Sequence, residues 1–145
     1  MEEECMMENV TRIMVFGTFD MVHKGHLNFF KQARGLAKKS YLIVSIARDA
    51  NVKRIKNQRP LNSQKERMEI VRVSSGADKV ALGGVNDHMP HIVKEQPDII
   101  ALGYDQWAYV KNLKSELIAA GLTTKIVRLK PYKEHLYKTS ILKFK

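Results

Sequence analysis

Cysteine is nearly missing from the chain: Cys5 is the only one in 145 residues. A lone cysteine excludes an internal disulfide and supplies no cysteine metal cluster. Long apolar runs are missing as well. No stretch approaches the roughly eighteen residues that a membrane-spanning helix needs, and none has the shape of a secretory leader. No membrane partner is therefore expected, and the cytoplasm is the expected compartment. Acidic residues are scarce, 15 Asp and Glu against 25 Lys and Arg, so the net charge is +10. That balance points to an anionic partner without saying which anion. The cations are scattered over Lys38-Lys39, over Lys53-Arg54-Lys56-Arg59 and along the C-terminal segment. Scatter of this kind suits a mononucleotide site at least as well as a nucleic-acid groove. Internal repeats and linkers are also absent.

What is present is ordinary for a folded protein, 44% hydrophobic and 28% charged residues, enough for a real core in one domain of this length. Residues 1–11 read as a flexible acidic tail and residues 12–145 as the single domain. Apolar, β-rich runs predict strands at 13–16, 41–47, 78–84, 98–103 and 124–129. Helical spacing of apolar residues predicts helices at 25–38, 64–74, 89–95 and 109–120, with Gly121 as the last one's C-cap and one more short helix from 138. Ser63 and Glu66 form a capping-box pattern at the head of 64–74. The polar, basic stretch 48–62 reads as a loop, with a turn at Arg59-Pro60.

Strands alternating with helices imply a five-stranded parallel sheet covered on both faces, an α/β, Rossmann-like, doubly wound single domain. In such sheets ligands bind at the carboxyl ends of the strands, near the switch in strand order. Directly after the first strand stands Gly17-Thr18-Phe19-Asp20-Met21-Val22-His23-Lys24-Gly25-His26. Gly17 permits a tight exit from the strand, and Gly25 permits close approach of backbone to a ligand. His23 and His26 sit three apart at a helix start, where free N–H groups and a partial positive charge favour anions. Two histidines in such a place also serve as caps, as surface residues or as metal ligands. The preceding strand and the flanking glycines favour a polyphosphate clamp.

Gly17-Thr18-Phe19-Asp20 followed by His23-Lys24-Gly25-His26 resembles the signature of the cytidylyltransferase-like nucleotidyltransferases. Further blocks resemble one branch, the archaeal-type FAD synthases, which are FMN adenylyltransferases. Those blocks include Ala47-Arg48-Asp49, Lys56-Asn57-Gln58-Arg59-Pro60, Gln64-Lys65-Glu66-Arg67, Gly103-Tyr104-Asp105-Gln106 and Leu136-Tyr137-Lys138-Thr139-Ser140. The resemblance runs from about Arg12 to the end of the chain.

It implies ATP and FMN as substrates, a divalent cation such as magnesium carried with the phosphates rather than by dedicated side chains, and a homodimer. His23 and His26 would contact the triphosphate and stabilise pentavalent phosphorus. Thr18, Phe19, Lys24 and Gly25 would complete the phosphate pocket, and Asp105 would contact the nucleotide. Lys56, Arg59 and Arg67 would pair with phosphate or pyrophosphate. Many cytidylyltransferases carry Arg-x-x-x-x-Ser-Thr-Thr at the start of the last helix. This chain lacks that arginine and keeps Thr139, preceded by Lys138, as the catalytic pair there. The sister activities are cytidylyl or adenylyl transfer to glycerol phosphate or to a sugar phosphate of lipopolysaccharide-core type. A non-catalytic nucleotide- or RNA-binding protein is the reading from another class, disfavoured because the strands are buried apolar runs. Trp107 and Tyr109 either stack on a ring or pack on the surface. His88, His91 and His135 are expected at the surface.

Overall fold

Ile13, Met14, Val15 and Phe16 are all buried, which a strand permits only when both faces of its sheet are covered. They form the centre of β1 (Thr11–Gly17) in a computed structural model that describes residues 10–56, 60–83, 88–104, 106 and 112–131. The other strands are β2 (Ser40–Ile46), β3 (Lys79–Leu82), β4 (Ile99–Leu102) and β5 (Lys125–Arg128). Between them lie α1 (Lys24–Arg34), α2 (Asp49–Lys56), α3 (Gln64–Ser75), α4 (Met89–Glu95) and α5 (Leu113–Ala119).

All pairings are parallel and the strand order is β3-β2-β1-β4-β5. The order reverses direction between β1 and β4, so the switch point lies at their carboxyl ends. Alternate residues along each strand feed opposite layers. Ile13 and Val15, with Leu42 and Val44, pack with Phe30 and Ala33 of α1 and Val71 of α3. Met14 and Phe16, with Ile43, pack with Ile92 of α4 and with Leu113 and Leu117 of α5. The expected doubly wound α/β architecture is the one found. No helix among the described residues is long and apolar enough to cross a membrane.

Local chemistry explains most boundaries. The Ser63 hydroxyl accepts the Glu66 N–H, and the Glu66 carboxylate accepts the Ser63 N–H, closing the expected capping box. Gly76, at φ +68°, ends the same helix in a left-handed conformation that suits glycine. Ala120 caps α5, and Gly121 follows at φ +76°. Helix α1 is shorter than its apolar pattern predicts, because Gly35 ends it; Leu36 and Ala37 still pack on the core as non-helical residues. The segment expected to be a loop at 48–62 contains α2. Its register is held from outside: the Asp49 N–H donates to Gln64 and the Asp49 carboxylate meets Arg67. Those partners lie too far along the chain for periodicity to register. β1 begins at Thr11, the last residue of the expected tail, while residues 1–9, the C-terminal helix expected from 138, and 109–111 of the helix expected at 109–120 fall outside the described residues.

Candidate active site

Helix α1 starts with a capping box built from two imidazoles. The Gly25 N–H donates to His23 Nδ1 at 2.9 Å, and the His23 N–H donates to His26 Nδ1 at 3.3 Å. The rings stack, with centroids 4.0 Å apart and planes 28° from parallel. An Nδ1 that accepts a backbone N–H carries no proton, so in each neutral ring the proton sits on Nε2. The cap therefore selects one tautomer in both residues, with an Nε2–H on each ring, at the helix start that follows β1. It also corrects one expectation. The Gly25 N–H is not free for a ligand, because the His23 ring already takes it.

The loop that carries these histidines is held under strain. Phe19 has φ +53°, a left-handed conformation unusual for an aromatic residue. Its ring, only 5% exposed, packs against Phe29 and Phe30 and meets the His26 ring edge-to-face, with centroids 5.5 Å apart. A Cβ on Gly17 would lie 2.5 Å from that ring, which is the concrete reason for glycine there. The Phe19 side chain is thus core, and what it can offer a ligand is backbone. Such strain collects where a loop's shape is needed for function.

Two ties fix the loop to the head of α3. Asp20 accepts the N–H groups of Leu61 and Asn62, at 2.6 and 2.8 Å, and its carbonyl accepts from the Asn62 amide. Arg67 is 0% exposed and donates to the Thr18 carbonyl (2.9 Å), the Asn62 carbonyl (3.1 Å) and the Asp49 carboxylate (2.7 Å). Its expected pairing with a substrate phosphate does not hold, because the guanidinium is buried and committed to three protein acceptors.

The family profile described as cytidylyltransferase-like matches residues 14–143. The chain belongs to the cytidylyltransferase-like family. Among its relatives, the FAD synthase of Korarchaeum cryptofilum is 42% identical over 125 residues, covering 86% of this chain and 84% of the relative. The FAD synthase of Methanosarcina barkeri is 42% identical over 125 residues, covering 86% and 87%. The crystal structure of the lipopolysaccharide core biosynthesis protein from Thermoplasma volcanium superposes with a TM-score of 0.78 at 33% identity, covering 85% of this chain and 98% of that one.

In this cytidylyltransferase-like chain, Thr18, Phe19, His23, Lys24, Gly25 and His26 are gathered in one loop and helix start, with Lys24 exposed at the first turn. Asp105, Lys138, Thr139, Arg59, Trp107, Tyr109 and His135 lie outside the described residues, as does the Lys56 side chain. His91, expected at the surface, is instead turned inward: its Nδ1 is 3.2 Å from Ser45 Oγ and its Nε2 3.8 Å from Glu95. Burial lowers its pKa; Glu95 pulls the other way, and Lys79, Lys94 and Arg48 add to the lowering. Glu95, 4% exposed, joins the ends of two strands by accepting from Lys79 at 2.7 Å and Arg12 at 3.1 Å. Burial alone would raise its pKa. The Lys79 hydrogen bond and the charges of Lys79, His91 and Arg12 outweigh that and hold it below the usual carboxylate range. The His91–Glu95 spacing of four on a predicted helix was the available signal for this pair.

The family also implies a divalent cation. Among the described residues no group of three or more His, Cys, Asp and Glu side chains could hold one. Asp20, the carboxylate inside the motif, already accepts two backbone N–H groups. The described residues therefore do not form a protein-held cation site.

Proposed function

We propose that the chain transfers AMP from ATP to FMN, giving FAD and pyrophosphate. The observation that carries this reading is the Nε2–H on each ring of His23 and His26, fixed by mutual capping at the helix start that follows β1, beside the sheet's switch point. The choice of ATP and FMN is supported by relatives named FAD synthase at 42% identity over most of both chains.

A phosphate oxygen of FMN attacks the α-phosphorus of ATP in line. The new oxygen–phosphorus bond forms as the bond from the α-phosphorus to the bridging oxygen breaks, and its electron pair leaves with pyrophosphate. The nucleophile is already ionised at neutral pH, so the protein's contribution is positioning and charge stabilisation. His23 and His26 donate to the triphosphate as charge builds on the leaving group. Thr18, Lys24 and Gly25 line its path, Asp105 contacts the nucleotide, and Lys138 and Thr139 assist from the C-terminal segment. A divalent cation such as magnesium would be brought by the substrate's phosphates rather than held by protein side chains. The family resemblance extends the reading to a homodimer, which light scattering on the purified chain would test.

An acceptor panel tests the reading. Pyrophosphate release is measured with ATP or CTP against FMN, glycerol phosphate and sugar phosphates. Turnover with ATP and FMN is expected. Preference for CTP, or for a sugar phosphate over FMN, would refute it and assign the sister activity.

A further inference from the structure

The two strands that flank the switch point part early. β1 pairs with β2 in register from Thr11 to Gly17, but with β4 only at Ile13↔Ile99 and Met14↔Ile100. β4 stays paired with β5 as far as Leu102↔Arg128. Beyond Met14 and Ile100 no residue pairing links β1 to β4, while each strand keeps its outer neighbour, and in a doubly wound sheet the cleft for a ligand lies at this switch point.

One side chain spans that cleft. Gln106 Nε2 donates to the Phe16 carbonyl of β1 at 2.7 Å, and Gln106 Oε1 accepts the Gly103 N–H after β4 at 2.8 Å. The amide thus makes the cross-strand links that the ladder no longer makes. Its orientation is determined, because only the NH2 can meet a carbonyl and only the oxygen can meet an N–H. The turn that presents Gln106 is held in its own right. The Gln106 N–H donates to the Gly103 carbonyl at 3.1 Å. Arg128 Nη1, from the end of β5, reaches the carbonyls of Gly103 (2.8 Å), Gln106 (2.9 Å) and Tyr104 (3.4 Å). Few side chains could replace Gln106. Glutamate keeps the acceptor and loses the donor, asparagine is one methylene short, and an aliphatic residue has neither group.

We propose that Gln106 is a positioning residue that sets the width of the β1–β4 cleft where the nucleotide enters, with Arg128 holding its turn. The proposal rests on the adenylyl-transfer reading for the identity of the nucleotide. It needs no contact between Gln106 and the substrate. The amide holds the exit of β1, and hence the histidine loop, at a fixed spacing from the segment after β4.

The test compares Gln106→Glu with the wild-type full chain. Calorimetric titration with a non-hydrolysable ATP analogue is combined with KM for ATP, KM for FMN, kcat and the thermal midpoint. In the variant a carboxylate oxygen faces the Phe16 carbonyl. The Kd for the analogue and the KM for ATP are then expected to rise about tenfold, with KM for FMN and kcat within about threefold. Arg128→Met, which frees the turn while leaving the amide in place, should weaken the analogue in the same direction and carries the test if Gln106→Glu does not fold. Unchanged analogue binding in both variants would overturn the proposal. So would a matched rise in both KM values, which marks a general structural defect. A wild-type chain that binds the analogue but makes no FAD sinks the acceptor reading alone, and the titration still decides Gln106. A wild-type chain that does not bind the analogue overturns both.

Discussion

The imidazoles of His23 and His26 cap the same helix reciprocally, each Nδ1 accepting a backbone N–H. Capping and donation to a ligand use opposite nitrogens of the same ring, so the two roles do not compete. Replacing His23 by Asn separates them. Asparagine is a strong N-cap but lacks the Nε2–H donor. The variant is expected to keep its thermal midpoint within a few degrees and to lose about 10²–10³ in turnover. In the wild type, two-bond nitrogen–proton couplings should report the Nε2–H tautomer for both residues. An Nδ1–H tautomer at either would contradict the capping assignment.

Arg67 is expected to behave as a buried structural residue. Arg67→Lys keeps the charge but cannot fork to the carbonyls of Thr18 and Asn62 while reaching Asp49. A loss of about 3 kcal/mol in unfolding free energy is expected, measured by denaturant titration. A phosphate ligand would give the reverse pattern, an unchanged midpoint with a raised KM for ATP.

Gly17→Ala places a methyl 2.5 Å from the Phe19 ring, and backbone or ring must shift. Overpacking of this kind costs about 1–3 kcal/mol. Because the ring touches His26, turnover should fall with stability. Phe19→Leu added to Gly17→Ala should recover part of both. If the double variant is worse by the sum of the two single effects, the ring is not what Gly17 accommodates.

Glu95 gives stability a dependence on acid. Its folded pKa lies below its unfolded value, so its contribution is fully present above the ordinary carboxylate range and is lost as pH falls through the lower, folded value. His91, whose folded pKa is also lowered, acts with the same sign, starting below the ordinary imidazole range. Glu95→Gln should be destabilised by about 2 kcal/mol at neutral pH, a figure moderated by the partly exposed Lys79 and Arg12. The gap should close in acid. A gap that stays constant from neutral pH to the acid limit would contradict this role.

Features set by near neighbours were legible in the sequence. The Ser63–Glu66 box, the five strands and the exit at Gly17 all depend on residues a few positions apart. The histidine motif was equally plain, although its reciprocal capping required the ring orientations. Arg67 was misjudged because its acceptors at Thr18 and Asp49 lie 49 and 18 positions away; by type alone a cation near a phosphate loop reads as a ligand. Helix α2 was missed for the same reason, since Arg67 and Gln64 hold its first turn from the next helix. His91 was misread despite its spacing from Glu95, because nothing in the local pattern says that α4 turns this face toward Ser45. Gln106 stood inside a recognised block, but its bridging role depends on where β1 and β4 part.

Adenylyl transfer to FMN is tested most directly by following the α-phosphorus. The full chain is incubated with α-labelled ATP, FMN and magnesium, and the flavins are separated and counted. Label should appear in FAD, one per flavin, with one pyrophosphate released for each. Label found only in free AMP, or FMN recovered unchanged while ATP is consumed, would contradict the assignment.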